Sequence, residues 1–237
     1  MTTMASEIKF KIESNPGRFW KIQDFDPFPA GAVAKALSRF LSVGLLKRYG
    51  KGLYYKPKQT ILGEAPPALA DLIKNKARDH RVVLANLSAF HKLGLTTQVP
   101  SKTIFAADSP LVIQGAEVVV RKIARYGDVC DELIMTLDAL GHIEKIPDCT
   151  FAEAIKFLAV QFEKNILPFT LNDLAIASMH DRPKVRAMVG LLGDMTKKIS
   201  TENREKIKSS LNPLTRFKIG KSSKELKLTL LKEWQID

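Results

Sequence analysis

The stretch of sequence that decides the fold is GAVAKALSRFLSVGLLKRYGKGLYYKPKQT, residues 31–60. Its first part, Gly31 to Val43, carries apolar residues at the i, i+3, i+4, i+7 and i+8 spacing of one buried helical face, beginning at Val33. Gly44 stands where the C-cap of such a helix is expected, and the residues up to Tyr55 then have the pattern of a strand, a glycine turn and a second strand. This stretch therefore predicts a helix followed directly by a β-hairpin.

Two further helical segments precede this stretch. Residues 7–14 have the pattern of a first helix, and residues 22–25 that of a short second helix before a proline-containing break. Helix, short helix, helix and β-hairpin is the element order of a winged helix-turn-helix. The aromatic side chains of this region are expected to pack in its core rather than to stack on bases. They are Phe19, Trp20, Phe25 and Phe28.

The rest of the chain predicts an α+β protein with three domains. A winged helix-turn-helix domain is expected over residues 1–62, a small mixed α/β domain over 63–126, and a helical C-terminal domain with a basic end over 127–237. The predicted elements of the second domain are helices at 68–76 and 87–93 and strands at 81–85, 102–106 and 117–121; those of the third are helices at 131–140, 151–164, 171–178, 183–197 and 201–211. Asp181 is the expected N-cap of the helix that begins at Pro183.

Positive charge is concentrated at the two ends of the chain. The net charge is +12, and residues 1–60 hold 11 basic against 4 acidic residues. Residues 61–195 hold 15 against 16, and residues 196–237 hold 11 against 5. A basic surplus of this size indicates an anionic partner such as nucleic acid, and the N-terminal cluster is the informative one because lysine-rich tails are common.

The predicted DNA-binding residues lie on the helix over 31–43 and on the hairpin after it. A helix of this kind fits the major groove, where polar side chains contact base edges and cations contact phosphates. The helix offers Lys35, Ser38, Arg39 and Ser42, and the hairpin offers Lys47, Arg48, Lys51 and Lys56, with Lys58 beyond it. No acidic residue interrupts residues 27–63. The alternative is a basic helix and hairpin that are merely solvated.

Signals for catalysis, a metal site or a cofactor are weak. The segment Gly50-Lys51-Gly52 lacks the spacing of a phosphate-binding loop. The histidines are scattered, and the two cysteines lack the pairing with histidine that structural zinc requires. The carboxylates with some potential for cation binding or acid-base chemistry are Asp108, Asp131 and Glu132, which also suit strand ends and helix starts. We therefore expect no catalytic residue, no metal and no cofactor, and a protein that is not an enzyme.

The cellular location is predicted from two kinds of apolar segment that the sequence does not contain. No uninterrupted apolar stretch approaches the roughly 20 residues that span a bilayer. The N-terminal residues have no apolar core of a signal peptide. These features predict a cytoplasmic protein without a membrane partner.

Four segments resemble AbiEi-type antitoxins, the antitoxin halves of type IV abortive-infection toxin–antitoxin pairs. They are the stretch from Ala32 to Tyr54 and the segments 93–100, 182–190 and 210–218. The resemblance implies a transcriptional autorepressor that binds its promoter DNA, the operator, through the winged helix. It also implies a cognate nucleotidyltransferase-like toxin as partner, counteracted directly or indirectly by the region after the winged helix. The DNA role falls on Lys35, Ser38, Arg39 and the hairpin, and the antitoxin role maps onto no definite residue.

Two other functions remain open at the level of sequence. The first is a winged-helix transcriptional regulator of unrelated genes that responds to a small ligand. The second is a nuclease or nucleotidyltransferase, for which loss of activity on changing Asp108 or Glu132 would be the signature.

Overall fold

The computed structural model describes residues 3–61, 63–65, 67–77, 81–113, 115–219 and 226–237. The chain divides into two compact units, residues 1–79 and 80–237. Both units combine helices with small β-sheets, so the α+β class predicted from the sequence is confirmed.

The N-terminal unit contains three helices and two sheets among its described residues. The helices are α1 (Met4–Glu13), α2 (Ala30–Ser42) and α3 (Leu69–Ala77), with a 3-10 turn at Ile22–Phe25. The strands are β1 (Phe19–Trp20), β2 (Lys47–Gly50), β3 (Leu53–Tyr55), β4 (Lys58–Thr60) and β5 (Gly63–Ala65). Strand β3 lies between β1 and β2 in an antiparallel sheet, and β4 pairs with β5.

The core of this unit is built from the predicted apolar face of α2 and from the aromatic residues before it. Val33 and Leu37 are fully buried and pack with Leu46 at the start of the hairpin. The rings of Trp20 and Phe25 stack at 5.1 Å in the same cluster. The helix is amphipathic because its apolar residues recur at helical spacing, and burial of that face fixes which residues point to solvent. The assignment of the aromatic residues to the core is confirmed for Phe19, Trp20 and Phe25, while Phe28 is half-buried.

Two features of this unit were not predicted. Phe19 and Trp20 form strand β1, which pairs with Tyr55 and Tyr54 of β3. Residues 58–60 and 63–65, which lie on either side of the predicted boundary between the first two domains, form the paired strands β4 and β5 of a hairpin. The hydroxyl of Thr60 donates to the carbonyl of Gly63 at 2.7 Å and closes that hairpin.

The C-terminal unit combines a three-stranded sheet with a helical bundle. Strand β6 (Val82–Leu84) runs antiparallel to β7 (Thr103–Ala107), and β7 runs parallel to β8 (Ala116–Val120). The helices are α4 (Asn86–Lys92), α5 (Asp131–Gly141), α6 (Phe151–Glu163), α7 (Leu171–Ser178), α8 (Pro183–Thr196), α9 (Thr201–Ser209) and α10 (Leu228–Glu233), with 3-10 turns at Ile123–Tyr126 and Ile143–Lys145.

Helix α8 lies in the middle of this unit. Val185 and the residues from Ala187 to Gly193 are buried, so the helix contacts its neighbours on nearly every side. Pro183 occupies its first turn, as predicted, but the N-cap is Arg182 and not Asp181. The Asp181 carboxylate instead accepts hydrogen bonds from the Tyr126 hydroxyl at 2.5 Å and from the backbone N–H of Arg182 at 3.0 Å.

The end of the chain packs against α8. The Trp234 ring is fully buried against Gly190, and its indole N–H donates to Asp194 at 2.8 Å. Phe217 and Ile236 pair in a parallel bridge. Residues 228–236 therefore pack within the C-terminal unit, where the sequence indicates only a basic end.

The division into two units differs from the three domains predicted from the sequence. Residues 63–77 belong to the N-terminal unit, and residues 81–126 belong with the helices after them. The hydrophobic cluster of the sheet β6–β8 includes Ile134 and Met135 of α5, so the sheet and α5 share one core.

Candidate nucleic-acid interface

The exposed face of α2 carries the side chains predicted to contact DNA. Lys35, Ser38, Arg39 and Ser42 are all exposed. Among the described residues, neither Lys35 nor Arg39 takes part in an ion pair, so both cations are available to an anionic partner. The hydroxyl of Ser42 donates to the carbonyl of Arg39 at 2.8 Å and keeps its acceptor lone pairs. Four predicted residues are thus brought to one face of one helix.

The beginning of α2 also favours an anion. Its N-cap is Pro29, which provides no side-chain hydrogen bond, and its first turn holds no acidic residue. The partial positive charge of the helix start is therefore not neutralised by the helix itself. A DNA phosphate near this end would accept hydrogen bonds from backbone N–H groups as well as from side chains.

The connection between α2 and the hairpin is short and hydrogen-bonded. The backbone N–H of Leu46 donates to the carbonyl of Phe40 at 3.1 Å, which holds the end of α2 against the start of β2. Arg48 and Lys51 are exposed on the hairpin, whereas Lys56 is half-buried. Lys56 is accordingly the least accessible of the eight predicted residues, and its backbone carbonyl accepts the Gly17 N–H at 2.8 Å.

Lys47 differs from the other predicted contacts because it has an acidic partner. Its ammonium group forms a hydrogen-bonded ion pair with Glu64 of β5. The hydrogen bond raises the pKa of Lys47 and lowers the pKa of Glu64. Glu64 lies one residue beyond the acid-free stretch 27–63, and the hairpin β4–β5 brings it to Lys47. Lys47 therefore adds less positive charge to this surface than its sequence position indicates.

The ion pair leads to a prediction about Glu64. Glu64→Gln is expected to strengthen DNA binding and to steepen the slope of log K against log salt by about 0.9, because one more cation becomes available for a phosphate. Titration of the full chain with promoter DNA at several salt concentrations measures both quantities. Glu117→Gln is the matched control, because it removes the same charge from an exposed strand residue of the C-terminal unit. An unchanged slope for Glu64→Gln would show that Lys47 does not contact DNA.

Two of the three carboxylates considered for catalysis have structural partners. Asp108 accepts the backbone N–H of Ala124 at 3.0 Å and so caps the 3-10 turn that follows. Asp131 pairs with Arg81 at 2.7 Å, and Glu132 lies in the first turn of α5. In the described part of the chain, no three His, Cys, Asp or Glu side chains are placed to hold a metal ion.

The basic end of the chain is partly neutralised by its own carboxylates. Arg204 pairs with Asp194 and with Glu233, both at 2.6 Å, and Lys208 pairs with Glu233 at 3.0 Å. In the described part of this end, Arg204 and Lys208 are therefore paired with carboxylates, unlike Lys35 and Arg39 of α2. Lys221 and Lys224, two other cations of this end, lie outside the described residues.

Comparison with known proteins identifies a family and a fold. Residues 7–127, about half of the chain, match DUF6088, a family of unknown function. No curated protein matches the chain. The fold is similar to that in the crystal structure of RV2827C protein from Mycobacterium tuberculosis, with a TM-score of 0.58 and 11% identity over 100% of this chain and 91% of that one. No helix in the described ranges is both long and apolar enough to cross a membrane.

Proposed function

Because the chain belongs to DUF6088, a family of unknown function, we propose a function from its N-terminal unit: a transcriptional autorepressor that binds its own promoter DNA. In this proposal the unit is a winged helix-turn-helix, with α2 as recognition helix and β2–β3 as wing. The observation that carries it is the exposed face of α2, where Lys35 and Arg39 have no acidic partner among the described residues. The sheet order β1-β3-β2 behind α2 supports the winged-helix assignment.

The second part of the proposal is that the protein is the antitoxin of a type IV toxin–antitoxin pair. It rests on the resemblance of four segments to AbiEi-type antitoxins. Three of them, 93–100, 182–190 and 210–218, lie in the C-terminal unit, and 182–190 includes part of α8. We assign neutralisation of a nucleotidyltransferase-like toxin to that unit. The protein would then act in the cytoplasm by binding and not as an enzyme.

The proposed division of labour predicts that the two activities separate in the full chain. Lys35→Ala/Arg39→Ala is expected to release repression of a promoter–reporter fusion, because the double variant loses cations from the DNA-binding face. The same variant, expressed from an unrelated promoter, is expected to protect cells from the co-expressed toxin as well as the unchanged chain does. A growth assay alongside the reporter checks this result.

A matched control and a contrary outcome complete this experiment. Lys156→Ala/Lys164→Ala removes the same number of charges from exposed positions on α6 and at its C-cap in the C-terminal unit and should leave repression unchanged. If Lys35→Ala/Arg39→Ala lost protection together with repression, neutralisation would depend on DNA binding, and the assignment to the C-terminal unit would be wrong.

A further inference from the structure

The C-terminal unit contains a cavity that the proposed function does not use. Its volume is about 360 Å3, and it lies between the sheet, the 3-10 turn at Ile123–Tyr126, α5 and the start of α8. Its apolar lining consists of Leu84, Ala106, Ile123, Ile134 and Leu137. Cavities that bind small molecules typically measure about 300–1,000 Å3 and combine an apolar lining with a few polar groups. The cavity meets both criteria.

The polar side of the cavity has an excess of positive charge. Four cationic side chains line it, namely Arg121, Lys122, Arg125 and Arg182. Asp138 and Asp181 are the carboxylates of the lining, which leaves a surplus of two positive charges. Burial, with Arg121 and Arg182 nearby, lowers the pKa of His142 to about 4, so its imidazole is neutral at pH 7. The histidine therefore adds no positive charge.

One of the arginines is held in place by contacts within the protein. Arg121 forms an ion pair with Asp138 and donates to the side-chain oxygen of Asn86 at 2.6 Å. Asp138 also accepts the backbone N–H of Asn86 at 2.9 Å. This group joins α4, β8 and α5 and has a structural role.

Two other arginines keep donors that the protein does not use. Arg182 donates one N–H to the carbonyl of Gly141 at 3.3 Å, and Arg125 contacts Tyr126 and Asp181 through Nη2. Both side chains belong to exposed residues, and a guanidinium group has five N–H donors. Within the described ranges, Nε and Nη1 of each have no protein acceptor. These donors suit the paired oxygens of an anionic group.

We propose that this cavity binds a small phosphate monoester, with its apolar or aromatic body on Leu84, Ile134 and Leu137 and its phosphate at Arg125 and Arg182. A phosphate monoester carries nearly two negative charges at pH 7 and so matches the surplus of two, whereas a carboxylate carries one. Nδ1 of His142 lies 3.0 Å from the carbonyl oxygen of Asp138 and donates to it. Nε2 is then an acceptor, which suits a hydroxyl or amide donor on the body of the ligand. The site is independent of the proposed DNA binding.

The test is calorimetric titration of the full chain with four probes. Phenyl phosphate supplies both parts of the proposed ligand, inorganic phosphate supplies only the anion, benzoate replaces phosphate by carboxylate, and benzamide is uncharged. Phenyl phosphate is expected to bind with a Kd of about 1 mM or lower and more tightly than each of the other three. If inorganic phosphate bound as tightly as phenyl phosphate, the apolar lining would have no role in binding. If benzoate bound more tightly than phenyl phosphate, the anionic group of the ligand would be a carboxylate and not a phosphate.

Variants locate the site. Arg182→Gln is expected to weaken phenyl phosphate binding about tenfold or more, as loss of charge-assisted hydrogen bonds does. Gly141→Ala is expected to weaken it without removing charge, because the added Cβ would lie 2.9 Å from Nη2 of Arg182 and displace it. Lys164→Gln, on an exposed residue outside the cavity, is the matched control for charge.

The binding results either support or contradict the proposed phosphate site. Loss of binding in Arg182→Gln and Gly141→Ala, with an unchanged thermal unfolding midpoint, supports the site. If phenyl phosphate does not bind the unchanged chain, or binds Arg182→Gln and Lys164→Gln equally well, the proposal is wrong. Neither outcome bears on promoter binding, so failure here leaves the proposed function standing.

Discussion

Trp234→Ala is expected to lower the free energy of unfolding of the C-terminal unit by about 3–5 kcal/mol, as removal of a buried tryptophan does. The ring is 0% exposed and lies against α8 at Gly190. Its loss also leaves the Asp194 carboxylate without the indole donor, although Arg204 still binds both oxygens at 2.6 and 2.9 Å. Urea unfolding followed by circular dichroism measures the change.

Two further variants separate packing from hydrogen bonding. Trp234→Phe keeps most of the buried surface but removes the indole hydrogen bond. The lost hydrogen bond should lower the free energy of unfolding by about 1 kcal/mol, in addition to the effect of the smaller ring. Gly190→Ala should cost about 1–3 kcal/mol, because its Cβ would come within 2.3 Å of the ring. Gly31→Ala is the matched control: no atom lies within 4 Å of its added Cβ, and alanine favours a helix. Equal effects of the two glycine variants would mean that Trp234 does not pack on α8.

Arg39→Ala is expected to weaken binding to promoter DNA by about 1–3 kcal/mol, as loss of a bidentate contact to a base does. Lys51→Ala is expected to weaken the binding of promoter and random DNA alike, because in the proposed complex a lysine at the turn of the hairpin would contact only phosphate. Arg39→Lys separates charge from geometry, since lysine keeps the positive charge but not the planar fork. Its affinity for random DNA should stay near that of the unchanged chain while its preference for the promoter falls.

Fluorescence anisotropy with matched promoter and random duplexes measures these changes. If Arg39→Ala and Lys51→Ala reduced the affinities for both duplexes in the same ratio, the distinction between recognition helix and wing would be lost. If neither variant changed any affinity, the basic surface of α2 and the hairpin would be solvated and without a DNA role.

Local patterns in the sequence predict the elements that carry their own periodicity. Helix α2, its buried face and the following hairpin were predicted because apolar spacing and glycine positions encode them within 31–60. The sheet β6–β8 and the helices from α5 to α9 follow for the same reason. The predicted strand 102–106 and the predicted helix 171–178 match β7 and α7 closely. Such elements depend little on distant residues.

Elements that exist only through a partner were missed. Strand β1 has two residues, too few for a visible alternation, and it forms because β3 offers a free edge. The predicted boundary between the first two domains falls between β4 and β5, yet these two strands pair with each other. Helix α10 is short, and its position depends on Trp234 reaching α8. These elements depend on residues that are distant in sequence, or are only marginally stable on their own, so the local sequence does not reveal them.

The same limit applies to charge and to sites. The acid-free stretch 27–63 predicts a cationic surface, but the pairing of Lys47 with Glu64 requires the unpredicted hairpin. The cavity collects residues from Leu84 to Arg182, which no local motif connects. Asp181 was predicted as a helix cap and lies instead beside Tyr126 and Arg125. A sequence indicates the charge of a surface more readily than the partners within it.

In the proposed function, the exposed face of α2 and the adjoining hairpin recognise the protein's own promoter. This recognition is tested by the affinity of the full chain for a promoter duplex and for a random duplex of equal length, each over a range of salt concentrations. The proposed recognition predicts tighter binding to the promoter at every salt concentration, with both affinities falling steeply as salt rises, since phosphate contacts release counterions. Equal affinity for the two duplexes throughout, or no dependence on salt, would contradict it.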